Sequence, residues 1–385
     1  MKYYFLGIGG IGMSSLAKYL FDLGYQVMGY DKTSSYITEN LVASGIQILF
    51  DDNIELIPSD FNKKNTQVVY TPAIPKDNPQ YDYFARQGYS IKKRAVLLGE
   101  ITKDFTVFAI AGTHGKTTTS YMLAHILENQ GKDIGFLIGG ISKNFENSAK
   151  LGTDKSFVIE ADEYDSAFFD KRSKFIHYSP NNLVINNIEF DHADIFDDIN
   201  DIKKQFHHLI KIVPSSGNII YFKDDKNSSD LIKDGLWCNK IEINSDSIKT
   251  DFKLMELEVD KKKFSLKELP LIGKHNFKNY ISAILAAKLD GVLINDSIES
   301  LKTFKGVRRR MELVVDASGI KVYDDFAHHP TAIRLSCEAI REKYLDKKIL
   351  GIIELGSNTM SSGFHKNFID SFELLDQTFL LDHKQ

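Results

Sequence analysis

Cysteine is scarce in this chain. Its 385 residues include only Cys238 and Cys337, with no C-x-x-C pair, too few for a disulfide framework or a cysteine-built zinc site. That scarcity favours a reducing compartment. Also missing are the apolar core and small-residue cleavage site of a signal peptide, because Met1 leads through Tyr3, Tyr4, Phe5 and Leu6 straight into glycines. No window supplies a membrane span, so a cytoplasmic location and no membrane partner are expected. Low-complexity tracts and solenoid repeats are absent as well. A net charge of only −4 excludes a surface built chiefly to grip nucleic-acid phosphates. Small-molecule partners are expected instead, and composition leaves the oligomeric state unknown.

What is present is ample material for cores: 43% of residues are apolar and 26% charged, the balance of a folded protein. The length exceeds what one hydrophobic core usually holds, so two or three domains are expected. Tyr3 to Leu6, Gly7 to Gly12, Met13 to Leu23 and Gln26 to Tyr30 read as strand, glycine turn, helix and strand, a βαβ unit. A strand at Gln67 to Tyr70 runs into the turn-rich Thr71 to Pro75, and the first domain closes near Asp104.

A second strand-turn-helix follows: Phe105 to Ile110, Gly112 to Lys116, then Thr117 to about Gln130. Strands at Ser156 to Ile159 and Leu183 to Ile188 each end in a cluster of acids. Between Lys223 and Lys263 weak periodicity predicts short strands and loops. Asn276 to Leu289 is an amphipathic helix with Tyr280, Ile284 and Ala287 on one face, and Arg308, Arg309 and Arg310 mark a hinge. A third βαβ unit comprises Ile320 to Tyr323, Thr331 to Tyr344 and Ile349 to Ile353, followed by one more helix and a strand at Phe379 to Leu381. The expected class is α/β, with domains at 1–104, 105–312 and 313–385.

Gly7, Gly9 and Gly12 form a G-x-G-x-x-G set between a strand and a helix, with Asp31 following the next strand. Bare glycines let a diphosphate approach the backbone and the N–H donors of the helix start. The set specifies a diphosphate without specifying the nucleotide. Gly112, Thr113, His114, Gly115, Lys116, Thr117 and Thr118 combine backbone donors, a lysine for phosphates and a hydroxyl for Mg²⁺. Ile110 stands where a full G-x-x-x-x-G-K-T pattern has its first glycine.

Two acidic strand ends accompany this loop: Glu160, Asp162, Glu163 and Asp165, then Asn186, Asn187, Glu189, Asp191 and His192. Ligands of open parallel sheets bind at the carboxyl ends of strands, and Mg²⁺ takes hard oxygen ligands, so a metal is expected there. An acidic run alone would more often be a solvated loop. His275, Asn276, Arg310, Asp325, His328 and His329 stand at helix starts and at the second domain junction. Their types alone assign them no role.

The ordered set G-T-H-G-K-T-T, E-A-D-E-Y-D, N-N-I-E-F-D-H, G-K-H-N-F-K-N, R-R-R-M-E and Y-D-D-F-A-H-H-P resembles the Mur ligases, from Tyr3 to about Met360. Residues 165–180, 189–196 and 324–333 are similar to the branch that uses a murein tripeptide rather than the branch that adds L-alanine. The resemblance implies a Rossmann-like N-terminal domain for a UDP-sugar, a P-loop ATPase central domain and a Rossmann-like C-terminal domain, here shortened. It implies that ATP activates the lactyl carboxylate of UDP-N-acetylmuramate as an acyl phosphate. The amine of L-alanyl-γ-D-glutamyl-meso-diaminopimelate then attacks it.

Carried over by position, Lys116 would hold phosphates, Thr117 and Glu163 one Mg²⁺, and His192 a second; Lys116, Glu163 and His192 are the expected catalytic residues. Asn276 and Asn279 would lie near adenine, Arg310 and Asp325 near the ribose and phosphates, and His329 at the domain junction. Gly7, Gly9, Gly10, Gly12, Asp31 and Thr71 would receive the UDP-sugar. The related pattern E-P-R-S-N-T-M is replaced by Glu354-Leu355-Gly356-Ser357-Asn358-Thr359-Met360, which removes an arginine able to pair with a substrate carboxylate. Three other readings stay open: the L-alanine ligase, a nucleotide-binding relative without turnover, and a nicotinamide-dependent oxidoreductase. The last leaves Lys116, Glu163 and His192 without a role.

Overall fold

The computed structural model describes residues 1–71, 73–75, 77–150, 152–162, 174–193, 195–354 and 368–381. The first 102 residues alternate strand and helix: β1 (Lys2–Leu6), α1 (Ile11–Asp22), β2 (Gln26–Tyr30), α2 (Tyr36–Ala43), β3 (Gln47–Leu49), β4 (Thr66–Tyr70), α3 (Pro79–Gln87), β5 (Ser90–Lys93) and α4 (Arg94–Thr102). The five strands pair in the order β3-β2-β1-β4-β5, all parallel. Order reverses at β1, so a crevice opens beside the turn after β1, where such sheets bind ligands.

The second unit contains β6 (Thr106–Ala111), α5 (Lys116–Asn129), β7 (Gly135–Leu137), β8 (Ala149–Lys150), β9 (Ser156–Ala161), β10 (Asn182–Ile185), α6 (Ile199–Ile212), β11 (Asn218–Phe222), α7 (Lys226–Lys233) and β12 (Asn239–Ile243). Its sheet runs β12-β11-β10-β6-β9-β7-β8, with β8 antiparallel to β7. β6 and β9 lie side by side at the centre with matched register, Ile110 beside Glu160 and Ala111 beside Ala161. Their near-continuous apolar sequences, T-V-F-A-I-A and S-F-V-I-E-A, are those of strands covered on both faces.

β13 (Ile248–Asp251), β14 (Glu256–Val259) and β15 (Lys262–Ser265) form an antiparallel meander, followed by α8 (Lys274–Leu289) and α9 (Ile294–Leu301). The expected strands between Lys223 and Lys263 are therefore present, together with the helix α7 that weak periodicity concealed. α8 is buried around most of its circumference, including Asn276, Asn279 and Ser282, rather than along one apolar stripe. It packs against α5, and both share a core with Phe108, Ile110 and Phe136.

The third unit holds the hairpin β16 (Glu312–Ala317) and β17 (Ile320–Asp324), α10 (Pro330–Lys343), and the parallel pair β18 (Leu350–Glu354) and β19 (Gln377–Leu381). Its small core joins Ile333, Cys337 and Phe372, while Leu350, Ile352 and Phe379 are exposed. Residues 355–360, which carry the Leu355-Gly356 replacement, lie outside the described residues. Among the described residues no helix is long and apolar enough to cross a membrane.

The first two units meet where α4 crosses the short turn Lys174–His177. A Cβ added to Gly99 would lie 2.0 Å from the His177 carbonyl oxygen, so only hydrogen fits there. Gly99→Ala is expected to wedge the two backbones apart and destabilise the protein by about 1–3 kcal/mol, the usual cost of overpacking. Chemical denaturation checks this, and an unchanged midpoint would contradict the close approach.

Candidate active site

The turn between β6 and α5 depends on two glycines. Gly112 has φ 133° and Gly115 φ 81°, conformations that L side chains rarely adopt. A Cβ on Gly115 would also lie 2.4 Å from Asn279 Oδ1. Asn279 therefore lies against the phosphate loop, and its Oδ1 accepts from Thr119 Oγ1 at 3.2 Å while its Nδ2 donates to Asn276 Oδ1 at 3.2 Å. From the loop after β10, Asn187 Oδ1 accepts the His114 N–H at 2.8 Å and its carbonyl accepts the Thr113 N–H at 3.1 Å. Asn186 Nδ2 donates to Thr119 Oγ1 at 3.0 Å. The strand predicted to reach Ile188 stops at Ile185: the Asn186 N–H still bonds the Ala111 carbonyl of β6, but Asn187 and Glu189 bond Thr113 and His114 of the phosphate loop instead of a neighbouring strand.

Lys116 Nζ donates to the Gly112 carbonyl at 2.7 Å and lies 3.7 Å from Asp162 Oδ1. Thr117 Oγ1 donates to Glu160 Oε1 at 2.7 Å, and Glu160 Oε2 accepts the Gly139 N–H at 2.7 Å. Burial, and next the charge of Asp162, push the Glu160 carboxyl above its ordinary range, while Thr117 and Lys116 pull it down. The carboxylate meeting Thr117 is thus Glu160, the last outer residue of β9 before Ala161. Glu163, the expected partner of Thr117, lies outside the described residues. Thr118 is buried in the first turn of α5.

His192 lies in the loop after β10 with φ 55°, a costly conformation for a non-glycine residue and one that gathers at functional sites. Its backbone N–H donates to Asp191 Oδ1 at 2.8 Å. Glu189, also in this loop, has its backbone N–H donated to Thr113 Oγ1 at 2.8 Å. Although burial raises the Glu189 carboxyl, His114 and Thr331 bring it down to about 2. His275 opens α8 with its ring buried, and burial, then the charge of His114, push it down to about 4.

The third unit reaches the same loop. His329 Nε2 donates to the Phe190 carbonyl at 3.0 Å, and His328 Nε2 lies 3.7 Å from Asp191 Oδ2. Burial opposes ionisation of Asp191, yet His328, His192 and His329 hold it well below the usual carboxylate range. Arg310 lies 5.3 Å from the Phe326 ring centre. Asp325, bonded by the Ser336 hydroxyl, is raised by burial and partly restored by Ser336 and Arg310. Arg310 and Asp325 are therefore neighbours at the junction.

In the first unit Gly7 has φ 82° and would place a Cβ 2.6 Å from Thr71 Cγ2. Asp31 Oδ2 accepts the Gly9 N–H at 2.7 Å and Oδ1 the Thr33 N–H at 3.2 Å, so Asp31 braces the turn. Gly10 caps α1. A Cβ on Gly12 would lie 2.9 Å from a terminal nitrogen of Arg94, which puts a guanidinium over the first turn of α1. Arg94 escaped sequence reading because only the β5–α4 junction, far along the chain, brings it there.

Family models match in chain order: Mur ligase family, catalytic domain over residues 2–106, Mur ligase middle domain over 110–287, and Mur ligase, glutamate ligase domain over 309–385. The Escherichia coli (strain K12) UDP-N-acetylmuramate:L-alanyl-gamma-D-glutamyl-meso-2,6-diaminoheptandioate ligase is 40% identical, aligned over 99% of this chain and 85% of its own length. The Flavobacterium johnsoniae UDP-N-acetylmuramate:L-alanine ligase is 38% identical over 98% of this chain and 83% of its own. The crystal structure of a murein peptide ligase from Psychrobacter arcticus 273-4 superposes with a TM-score of 0.77 at 34% identity, covering 99% of this chain and 84% of that one. With three family domains in sequence and a phosphate loop facing a carboxylate, this chain belongs to the Mur ligase family, ATP-dependent enzymes that form amide bonds.

Proposed function

We propose that the chain joins UDP-N-acetylmuramate to L-alanyl-γ-D-glutamyl-meso-diaminopimelate through an acyl phosphate, in the cytoplasm and as a step of murein recycling. The observation that carries the ATP-dependent half of this reading is the Thr117–Glu160 contact beside Lys116. The amine assignment is supported by the Escherichia coli relative and by the resemblance of residues 189–196 and 324–333. L-alanine as the amine is the second reading, supported by relatives of that name at similar identity.

In this reading the first domain, residues 1–104, receives the UDP-sugar on Gly7, Gly9, Gly10 and Gly12, with Thr71 and Asp31 setting the turn. The central domain, 105–312, holds ATP, and 313–385 presents the amine. Lys116 leaves the Gly112 carbonyl for the phosphates, placing a cation where negative charge gathers as the carboxylate attacks. The oxygens of Thr117 and Glu160 suit a magnesium ion, which prefers hard donors and few protein carboxylates; Glu163 and His192 complete the expected set. When bound, that ion supplies positive charge to the phosphate oxygens. Asn276, Asn279, Arg310 and Asp325 line the nucleotide side. The His328 and His329 contacts hold the third domain over the loop and so exclude water that would hydrolyse the acyl phosphate.

With ATP, Mg²⁺ and UDP-N-acetylmuramate, mass spectrometry is expected to find the tripeptide adduct formed at least about tenfold faster than the L-alanine adduct. The reverse preference would transfer the assignment to the L-alanine reading, and phosphate release with neither amine consumed would defeat both. Lys116→Ala is expected to lower kcat by about a hundredfold or more, the scale for losing a donor to developing charge. Steady-state phosphate release measures it.

Glu160 gives a pH test. Its folded-state pKa is raised, so the folded form binds the proton more tightly, and this group's contribution to stability falls as pH rises past the ordinary carboxylate range. Glu160→Gln is therefore expected to melt higher than the parent at neutral pH without nucleotide, yet to need more Mg²⁺ for turnover. A lower melting temperature would show that ionised Glu160 stabilises the fold.

A further inference from the structure

Beside the phosphate loop, three potential ligand atoms converge. His114 Nε2, Glu189 Oε2 and His329 Nδ1 all lie within 4.8 Å of one another. The carboxylate oxygen is 3.3 Å from the His114 nitrogen and 3.5 Å from the His329 nitrogen. Charge-assisted hydrogen bonds close to about 2.7–2.9 Å, so these contacts are long. Ligands held about 2.0–2.1 Å from a tetrahedral zinc ion stand about 3.3–3.4 Å apart, close to both carboxylate–nitrogen spacings, and the two nitrogens lie within 4.8 Å of each other.

The donor chemistry agrees. Two imidazoles and one carboxylate form the three-ligand set that binds zinc with a fourth position open, and nitrogen donors favour zinc over magnesium. His329 Nε2 donates to the Phe190 carbonyl, the outer bond that fixes the ring of a metal-ligating histidine and turns its other nitrogen inward. That inner nitrogen accepts the Thr331 N–H at 3.2 Å, a helix cap that an ion would replace. Burial, and next the charge of His114, push the His329 imidazole down to about 4. His329 is 7% exposed and Glu189 33%, so the cluster is shielded yet reachable.

We propose that His114, Glu189 and His329 form a binding site for one zinc ion, distinct from the Thr117–Glu160 magnesium pair. Two ligands come from the central unit and one from the start of α10, so the ion ties the third unit to the phosphate loop. Bound zinc thereby holds His114 and His329 to the same carboxylate. The site stands whether the amine is the tripeptide or L-alanine.

Metal-free full-length protein, in excess Mg²⁺, is titrated with Zn²⁺ against a chromogenic zinc chelator. One equivalent is expected to bind, and Co²⁺ in its place is expected to give the intense visible absorption of a four-coordinate site. Glu189→Gln, His114→Gln and His329→Gln should each weaken zinc at least about tenfold, a modest loss for a ligand against the 10–100-fold seen for outer partners. Cys238→Ser and Cys337→Ser should leave it unchanged. Equal zinc affinity in parent and all three ligand variants, no stoichiometric binding, or a weak six-coordinate cobalt spectrum would overturn the proposal. Glu189→Gln preserves shape, so circular dichroism separates loss of zinc from loss of fold.

Discussion

A carboxylate held against a hydroxyl at the start of a buried helix is the constraint around which the rest of this structure is arranged. Glu160 lies beside Thr117 because β9 pairs with β6 in register and α5 springs from the end of β6. Parallel strands place both chain ends on one edge of the sheet, and the helix N-terminus adds its N–H donors there. The carboxylate resists ionisation in this position. Positive charge arriving with the nucleotide would relieve it, so the ligand-free protein stores part of the drive for binding.

The loop from Asn186 to His192 acts as the spacer between that edge and the third unit. One side bonds the phosphate loop through Asn187, Asn186 and Glu189, and the other meets His328 and His329. A shift of the third unit therefore reaches Thr113 and His114 through one short segment. This is physical continuity of packed, bonded groups, the kind of connection through which two arrangements can be coupled.

The phosphate loop and the glycine turn were legible in the sequence because each is contiguous, and local glycine, lysine and hydroxyl chemistry identifies it. The strands and helices read around those motifs lie within a few residues of the observed ones, whereas α2, α3, α4, α6 and α9 went unread. Glu160 was harder. E-A-D-E-Y-D offers four carboxylates, and choosing among them requires knowing that β9 continues to Ala161 rather than ending at Ile159. Helix α7 was hidden by its polar eight-residue sequence, although Asp225 caps it through Ser228. Arg94 over Gly12 and the His114–Glu189–His329 cluster join segments that are remote along the chain, and no periodicity encodes such meetings.

The central claim is that Thr117 and Glu160 together receive the metal of a bound triphosphate while Lys116 turns to its phosphates. A crystal structure with a non-hydrolysable ATP analogue and Mn²⁺, read by anomalous scattering, tests it most directly. The account predicts a manganese peak bonded to Thr117 Oγ1 and a Glu160 oxygen, with Lys116 Nζ moved from the Gly112 carbonyl to phosphate oxygen. Manganese bound elsewhere, with Glu160 still bonded to Thr117 and the Gly139 N–H, would contradict it.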